Sequence, residues 1–272
     1  MKDYRDKYDD GDIAFYVQVF QDYSYAEACL KQLRRWYPKS RVIIISDGDD
    51  DPRYEQLAAR YEADYSLGTA LYPVENGGRM NQRMLEAFLM KPCAYLIKID
   101  TDTRVHRRFR YLPKGRCVFG TLEWETSHGK IKLEFPNVQG GCMGFTLESA
   151  REIAESGILL SRELLDYRQT YADNPDIIYR AEKKGLISMD FVMRYACRQL
   201  NVPLVSFDEV HSLYRGDIAL TGGGYAITHP HKHTEDCTYR NQLKRSLRHI
   251  LKKIVAPTTT AARHRPIGNQ NG

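Results

Sequence analysis

The sequence predicts an α/β fold built on a mostly parallel central sheet with helices on both faces. Two features of its first half carry that expectation. Apolar runs rich in β-branched residues are nearly unbroken, and they alternate with stretches whose apolar residues recur at helical spacing. A strand with one wet face alternates apolar and polar residues, so unbroken runs imply strands buried on both sides. The second half is less regular and predicts a mixed sheet with attached helices.

The first run, Ile13-Ala14-Phe15-Tyr16-Val17-Gln18-Val19, reads as a strand, and Ala26, Cys29, Leu30 and Leu33 mark the helix behind it. A second strand, Val42-Ile43-Ile44-Ile45, ends at Asp47-Gly48, and Leu57, Ala58 and Tyr61 follow as a short helix. Met80, Met84, Ala87 and Phe88 define a third helix stopped near Pro92, and residues 94–99 form a strand that runs straight into Asp100. Residues 118–122, 131–135 and 142–146 read as three further strands, and 147–171 as helical. Ser188 is a suitable N-cap for a helix from Met189 to about Leu200, followed by short strands at 202–206 and 225–228. At the end, Leu243, Leu247, Ile250, Leu251 and Ile254 form an apolar stripe flanked by Lys244, Arg245, Arg248, Lys252 and Lys253. This predicts a basic amphipathic helix over 239–255, with a disordered tail over 256–272.

At 272 residues the chain exceeds the usual single-domain length, but α/β folds reach this size around one core, so one domain over 1–238 is expected. The 42% hydrophobic and 28% charged contents set aside disordered and collagen-like classes. No apolar run approaches the roughly 20 residues of a membrane-crossing helix, and the polar start MKDYRDKYDDGD lacks the apolar stretch of a secretory signal. A cytoplasmic protein is therefore expected. The 6 cysteines form no CxxC pair and read as reduced, buried fillers rather than a disulfide framework or zinc site. The net charge of +5 sits largely in the last thirty-odd residues, which describes a tail and not a nucleic-acid-binding face.

In an open parallel sheet, ligands collect beyond the carboxyl ends of the strands. Asp100 and Asp102 stand there, flanking Thr101. Carboxylates at i and i+2 can turn to one side and offer oxygen ligands to a hard divalent cation, manganese or magnesium, which can bridge a diphosphate. Such a cation stabilises the charge that builds on a departing diphosphate. A solvated turn or helix cap would account for the same triplet alone.

The order strand, helix, strand-Asp, helix, strand-DTD resembles the nucleotide-binding half of GT-A glycosyltransferases, the nucleotide-diphospho-sugar transferase fold. Four further segments carry the likeness, which covers roughly residues 12 to 235. Asn76-Gly77-Gly78-Arg79-Met80-Asn81 resembles their glycine-containing segment with a basic residue, and Gln139-Gly140-Gly141-Cys142-Met143-Gly144-Phe145 their acceptor-side strand. Ser188-Met189-Asp190 resembles the site of the catalytic acid or base, and Thr228-His229-Pro230-His231-Lys232 the late His and Lys that close on metal and diphosphate. The resemblance implies a donor half over about 12–104 and an acceptor half over about 105–238. It implies Asp47 against the nucleoside, Gln18 and Phe20 along the base, and Asp100 and Lys232 on the donor.

Each of these residues also has a plainer reading. Asp47 begins an acidic run that fits a solvated turn, and a calcium loop fails because the required glycine and terminal glutamate positions hold Pro52 and Ala58. Arg79, near a helix N-terminus, could steady a diphosphate or sit on the surface. Asp190, in the first helical turn, could take a proton from an acceptor hydroxyl or help to cap the helix. Of His229, His231 and His233, one on the cation is expected, and His229 is preferred because it follows the apparent strand. Trp124, Gly140 and Gly141 could border the acceptor, an aromatic face suiting a sugar and glycine allowing close approach; Trp124 also fits a core. The basic C-terminal stripe suits either peripheral contact with an anionic membrane, on its inner face, or packing on its own domain.

The expected function is metal-dependent transfer of a hexose or related sugar from a nucleotide-diphosphate donor, UDP-sugar favoured, to a glycan or lipid-linked hydroxyl acceptor, with inversion favoured. Such activity belongs to polysaccharide biosynthesis. A sugar nucleotidyltransferase is the second enzyme class, although Val19-Phe20-Gln21-Asp22 replaces the glycine-rich loop expected after its first strand. A nucleotide-sugar-binding protein without catalysis is the third reading.

Overall fold

The computed structural model describes residues 4–5, 7–71, 76–125, 132–161, 189–212 and 224–231. The chain divides into two units, Met1–Lys232 and His233–Gly272, and all described residues belong to the first. The expected 239–255 helix and 256–272 tail, Ser188, and the part of the helical stretch beyond residue 161 lie outside the described residues.

The fold is mixed α/β with a seven-stranded, mostly parallel sheet. Strands β2 (Ile13–Val19), β3 (Arg41–Asp47), β4 (Asp64–Gly68) and β5 (Tyr95–Ile99) run parallel in the order β5-β2-β3-β4. On the β5 side the sheet continues through β9 (Lys132–Thr146) and β8 (Val118–Glu125), both in antiparallel pairings, to β10 (Leu204–Ser206), which is parallel to β8. A second, three-stranded sheet sets β12 (Ile227–His229) between β11 (Val210–Ser212) and β6 (Arg104–Val105), and a small ladder pairs β1 (Tyr4–Arg5) with β7 (Leu112–Pro113).

The apolar runs divide between two cores by strand alternation. Ile13, Phe15, Val17 and Val19 of β2 pack with α1 (Tyr23–Trp36) and α2 (Pro52–Arg60), through Ala26, Cys29, Leu30, Leu33, Tyr54 and Leu57. Ala14 and Tyr16 face the other way, onto Met80, Met84 and Phe88 of α3 (Gly77–Leu89). That second core also takes in α4 (Leu147–Glu155) and α5 (Met189–Gln199), through Ile153, Val192 and Met193. Each buried Leu, Ile or Phe contributes roughly 1.5–3 kcal/mol of transfer free energy. Local signals set the helix starts. Asp51 accepts from the Arg53 amide at 3.0 Å with Pro52 at the first helical position, and Thr146 caps α4 by accepting from the Ser149 amide.

Two expectations change. Residues 132–135 and 142–146 belong to one strand, β9, where separate strands were expected; residue 131 lies outside the described residues. Pro136 is tolerated because β5 pairs only with Cys142–Thr146, so the proline lies on a stretch with an open side. Its pairing with β8 shifts register between Gly120 and Leu122 and between Glu123 and Glu125. The short edge strand β4 was not expected, since DYSLG shows no apolar run. The cysteines agree with a reduced interior: Cys29, Cys117, Cys142 and Cys197 are buried free thiols, Cys93 is half-buried, and Cys237 lies outside the described residues. No helix among the described residues is long and apolar enough to cross a membrane.

One buried charge supports the β11–β12 side. The Glu209 carboxylate is 0% exposed and is held by the Arg110 backbone amide at 2.9 Å, the Arg110 Nε at 2.7 Å and the Arg107 guanidinium. Its main-chain carbonyl accepts from Ala226 and Ile227, so this residue joins segment 107–110 to the start of β12. Breaking a buried pair costs about 3–5 kcal/mol, but Arg110 is 67% exposed and re-solvates. Glu209→Ala is therefore expected to lower the unfolding free energy by about 2–3 kcal/mol, measured by urea denaturation.

Candidate metal centre

β5 ends at Ile99, and the next three residues turn sharply beyond the sheet's carboxyl edge. Neighbours fix this turn from three directions. The Asp100 amide donates to the Gly141 carbonyl of β9 at 3.1 Å, the Thr101 hydroxyl donates to the Asp22 carboxylate ahead of α1, and the His231 amide donates to the Asp102 carbonyl at 2.9 Å. β12 returns along β6, with Thr228 opposite Arg104, and so carries His229 back over the DTD turn.

His229 Nε2 lies 3.2 Å from Asp100 Oδ2 and 3.3 Å from Asp102 Oδ1. One ligand atom from each of the three residues falls within 4.8 Å of the others. An ion about 2.1 Å from each ligand in octahedral geometry spaces neighbouring ligands by about 3.0 Å, so this group could hold a divalent cation. Carboxylate oxygens suit hard divalent cations and an imidazole the borderline ones, so the donor set disfavours only soft, thiolate-seeking metals. Ser212, opposite His229 in the parallel β11–β12 register, places its hydroxyl 3.1 Å from His229 Nδ1, which leaves Nε2 for the carboxylates.

The electrostatics interlock. Burial would raise the Asp100 pKa, but the Lys98 ammonium, bonded to Asp100 Oδ1, and His229 hold this carboxyl well below the usual range. Burial would lower the His229 pKa, but hydrogen bonds to Asp100 and Asp102 outweigh it and push the imidazole up to about 9. At neutral pH His229 therefore carries a proton where a cation would sit. His231 differs: burial, then Arg104 and His106, push it down to about 4, and its Nε2 lies 2.8 Å from the Thr228 hydroxyl. His229, the preferred histidine, joins the carboxylates.

Gly140 and Gly141 of β9 make room for this group. A Cβ on Gly140 would meet the Asp190 Cβ at 3.3 Å, and one on Gly141 would lie 1.9 Å from His229 Nδ1. Successive strand residues present opposite faces, so Asp190 and His229 approach β9 from its two sides at adjacent positions. Asp190 is half-buried in the first turn of α5, and its Oδ2 accepts from Asn137 Nδ2 at 3.3 Å.

The other expected residues are more dispersed. Gln18 is half-buried at the end of β2, its Nε2 3.6 Å from the Met80 sulfur, and Phe20 is 41% exposed just beyond that strand. Asp47 is buried, where a solvated turn was the plainer alternative; its Oδ1 accepts from Arg83 at 2.8 Å and the Leu71 amide at 3.0 Å. Arg79 is exposed on the first turn of α3, and Trp124 is 56% exposed on β8, not core. Lys232 and His233 lie outside the described residues. Sequence reasoning missed Lys98, Ser212, Asn137, Asp22 and Arg83. Only Lys98 left a local signal, as the charged residue in the apolar run YLIKI.

Three outcomes follow. Because the folded His229 pKa is about 9, above its ordinary 6.5, the proton competes with the metal up to about that pH. Mg²⁺ affinity should rise about tenfold per unit between about pH 6.5 and about pH 8.5, with about one proton released per ion, read by calorimetry in buffers of different ionisation enthalpy. In the metal-free protein the same imidazolium contributes stability that is complete below pH 6.5 and lost as pH rises through about 9. Gly141→Ala should displace the His229 ring and weaken metal binding by about 10–100-fold while the far-UV circular dichroism stays unchanged. Comparison of the sequence with protein-family models and with curated proteins gives no match.

Proposed function

We propose that this chain is a metal-dependent glycosyltransferase of the GT-A type, moving a sugar from a nucleotide-diphosphate donor, UDP-sugar favoured, to a hydroxyl acceptor on a glycan or lipid-linked carrier. The observation that carries this reading is the convergence of Asp100, Asp102 and His229 at the carboxyl end of a parallel strand. That edge is where open α/β sheets bind nucleotides, and the three residues fit a hard cation of the kind that accompanies diphosphates. When bound, the cation supplies Lewis-acid stabilisation of the departing diphosphate.

The chain's own residues take the remaining roles. Asp190 takes the proton of the acceptor hydroxyl as that oxygen attacks the anomeric carbon; the bond from this carbon to the diphosphate breaks, and the configuration inverts. Support for Asp190 is its position across β9 from His229, with Asn137 orienting its carboxylate. Gln18, Phe20, Asp47 and Arg79 form the donor side, with Asp47 acting from a fixed, buried position beside Arg83. The exposed Trp124 offers its face to the acceptor sugar.

Calorimetry with a panel of nucleoside diphosphates and Mn²⁺ tests the proposal. One diphosphate should bind only with metal, and Asp102→Ala should abolish that response. With the matching sugar nucleotide and acceptor, Asp190→Asn should lower kcat by about 10²–10⁴ and leave donor affinity within about twofold. Failure of every diphosphate to bind under any metal condition would overturn the reading, and release of pyrophosphate would redirect it to a nucleotidyltransferase.

A further inference from the structure

Lys98 is a charged residue in the interior of an apolar strand. Its side chain is 7% exposed, and on β5 it shares a face with Leu96, which belongs to the apolar core of α3, α4 and α5. An ammonium in such a position costs several kcal/mol unless it is paired and hydrogen-bonded. Lys98 meets both conditions: its Nζ donates to Asp100 Oδ1 and to the Gly140 carbonyl. A methionine or leucine would fill the volume without that cost, so the charge calls for an account beyond packing.

We propose that Lys98 is a positioning residue that makes the Asp100–Asp102–His229 group a conditional metal site, one that takes up a divalent cation together with an anionic co-ligand and holds the cation weakly alone. The inference rests on the metal-binding part of the function proposed above, not on sugar transfer.

Two arguments support it. The first is geometric. Lys98 occupies Oδ1 of Asp100, while His229 lies beside Oδ2. The metal-facing ligand from Asp100 is thus a single oxygen, and chelation by both oxygens is blocked. Three protein donors then leave about three positions of a six-coordinate ion for other ligands.

The second is charge balance. Two carboxylates and a neutral imidazole would neutralise a divalent ion. The fixed ammonium bonded to one of those carboxylates turns that neutral assembly into one with net charge +1. In a partly buried setting a net charge is costly, and an anion entering the open coordination positions removes it. The same bond to the Gly140 carbonyl ties this charge to the strand against which Asp190 packs.

The test uses Mn²⁺ binding, followed by the electron paramagnetic resonance signal of the free aqua ion, with and without inorganic pyrophosphate. The readings are corrected for the Mn²⁺ that pyrophosphate binds in protein-free buffer. Wild type is compared with Lys98→Met, which keeps length and loses charge, and Lys98→Arg, which keeps charge; thermal unfolding of each checks the fold. Wild type should bind Mn²⁺ at least tenfold more tightly with pyrophosphate than without it. Lys98→Met should bind Mn²⁺ alone at least tenfold more tightly than wild type and gain little from pyrophosphate, and Lys98→Arg should follow wild type. Equal or weaker binding of Mn²⁺ alone by Lys98→Met would mean that the lysine merely organises Asp100, and would overturn the inference. If Lys98→Met does not fold, the wild-type comparison decides: equal Mn²⁺ affinity with and without pyrophosphate overturns the inference just as firmly. If pyrophosphate and Lys98→Met behave as expected while no nucleotide sugar is consumed, the transferase reading fails and the conditional metal site stands.

Discussion

The Asp100 carboxylate, shared between Lys98 on one oxygen and His229 on the other, is the interaction on which the site depends. Asp100 and Asp102 offer ligand oxygens within 4.8 Å of each other. Two like charges at that separation repel by about 3–4 kcal/mol in a medium of effective dielectric 20. Unrelieved, that repulsion would drive one carboxyl to hold a proton or turn away. The protein relieves it with two cations of its own, one from the strand beneath and one from a strand far along the chain. The metal-free group is thereby balanced, with two carboxylates against an ammonium and an imidazolium, and it keeps its shape.

That balance explains much of the irregular second half. His229 must reach the carboxyl edge of β5, and the three-stranded β11-β12-β6 sheet brings it there. β6 follows the DTD turn directly, so pairing β12 with it fixes the height of His229 over the carboxylates. β11 contributes Ser212 against Nδ1, and Glu209, just before β11, anchors the start of β12 through its carbonyl and the 107–110 segment through its carboxylate. Strands of three residues have little stability by themselves. Here a buried ion pair, a hydroxyl–imidazole contact and the main-chain bond from His231 to Asp102 provide what strand length does not.

The legible part of this arrangement was the local part. Nearly unbroken apolar runs marked β2, β3 and β5, because their side chains alternate between two apolar cores, and Asp100 and Asp102 were found because they follow the last of these strands. His229 was legible as a histidine at a strand end. Apart from Lys98, the residues that position them were not, because each acts across many residues on a partner no pattern names: Ser212 on His229, Asn137 on Asp190, Asp22 on Thr101. Asp47 shows the same limit. Its place at the end of β3 was readable, but its bond to Arg83, one helix later, was not, and that bond makes it a buried, fixed carboxylate instead of part of a solvated turn. The β9 strand escaped for a different reason, since Pro136 and the glycine pair look like breakers wherever the neighbouring pairing is unknown.

That glycine pair also shows how a residue's role can be displaced from the residue itself. Gly140 and Gly141 suggest a surface opened for a sugar to approach the backbone. The space they leave is taken by the protein's own groups: Asp190 stands over one glycine and the His229 ring over the next. Because adjacent strand residues face opposite ways, two consecutive glycines are what allow a carboxylate and an imidazole to close on one strand from both sides. A single glycine would admit only one of them. Under the proposed transfer, any influence of this strand on an acceptor would pass through the placement of Asp190, and the Gly140 carbonyl, bonded to Lys98, ties that strand to the side chain that also holds Asp100.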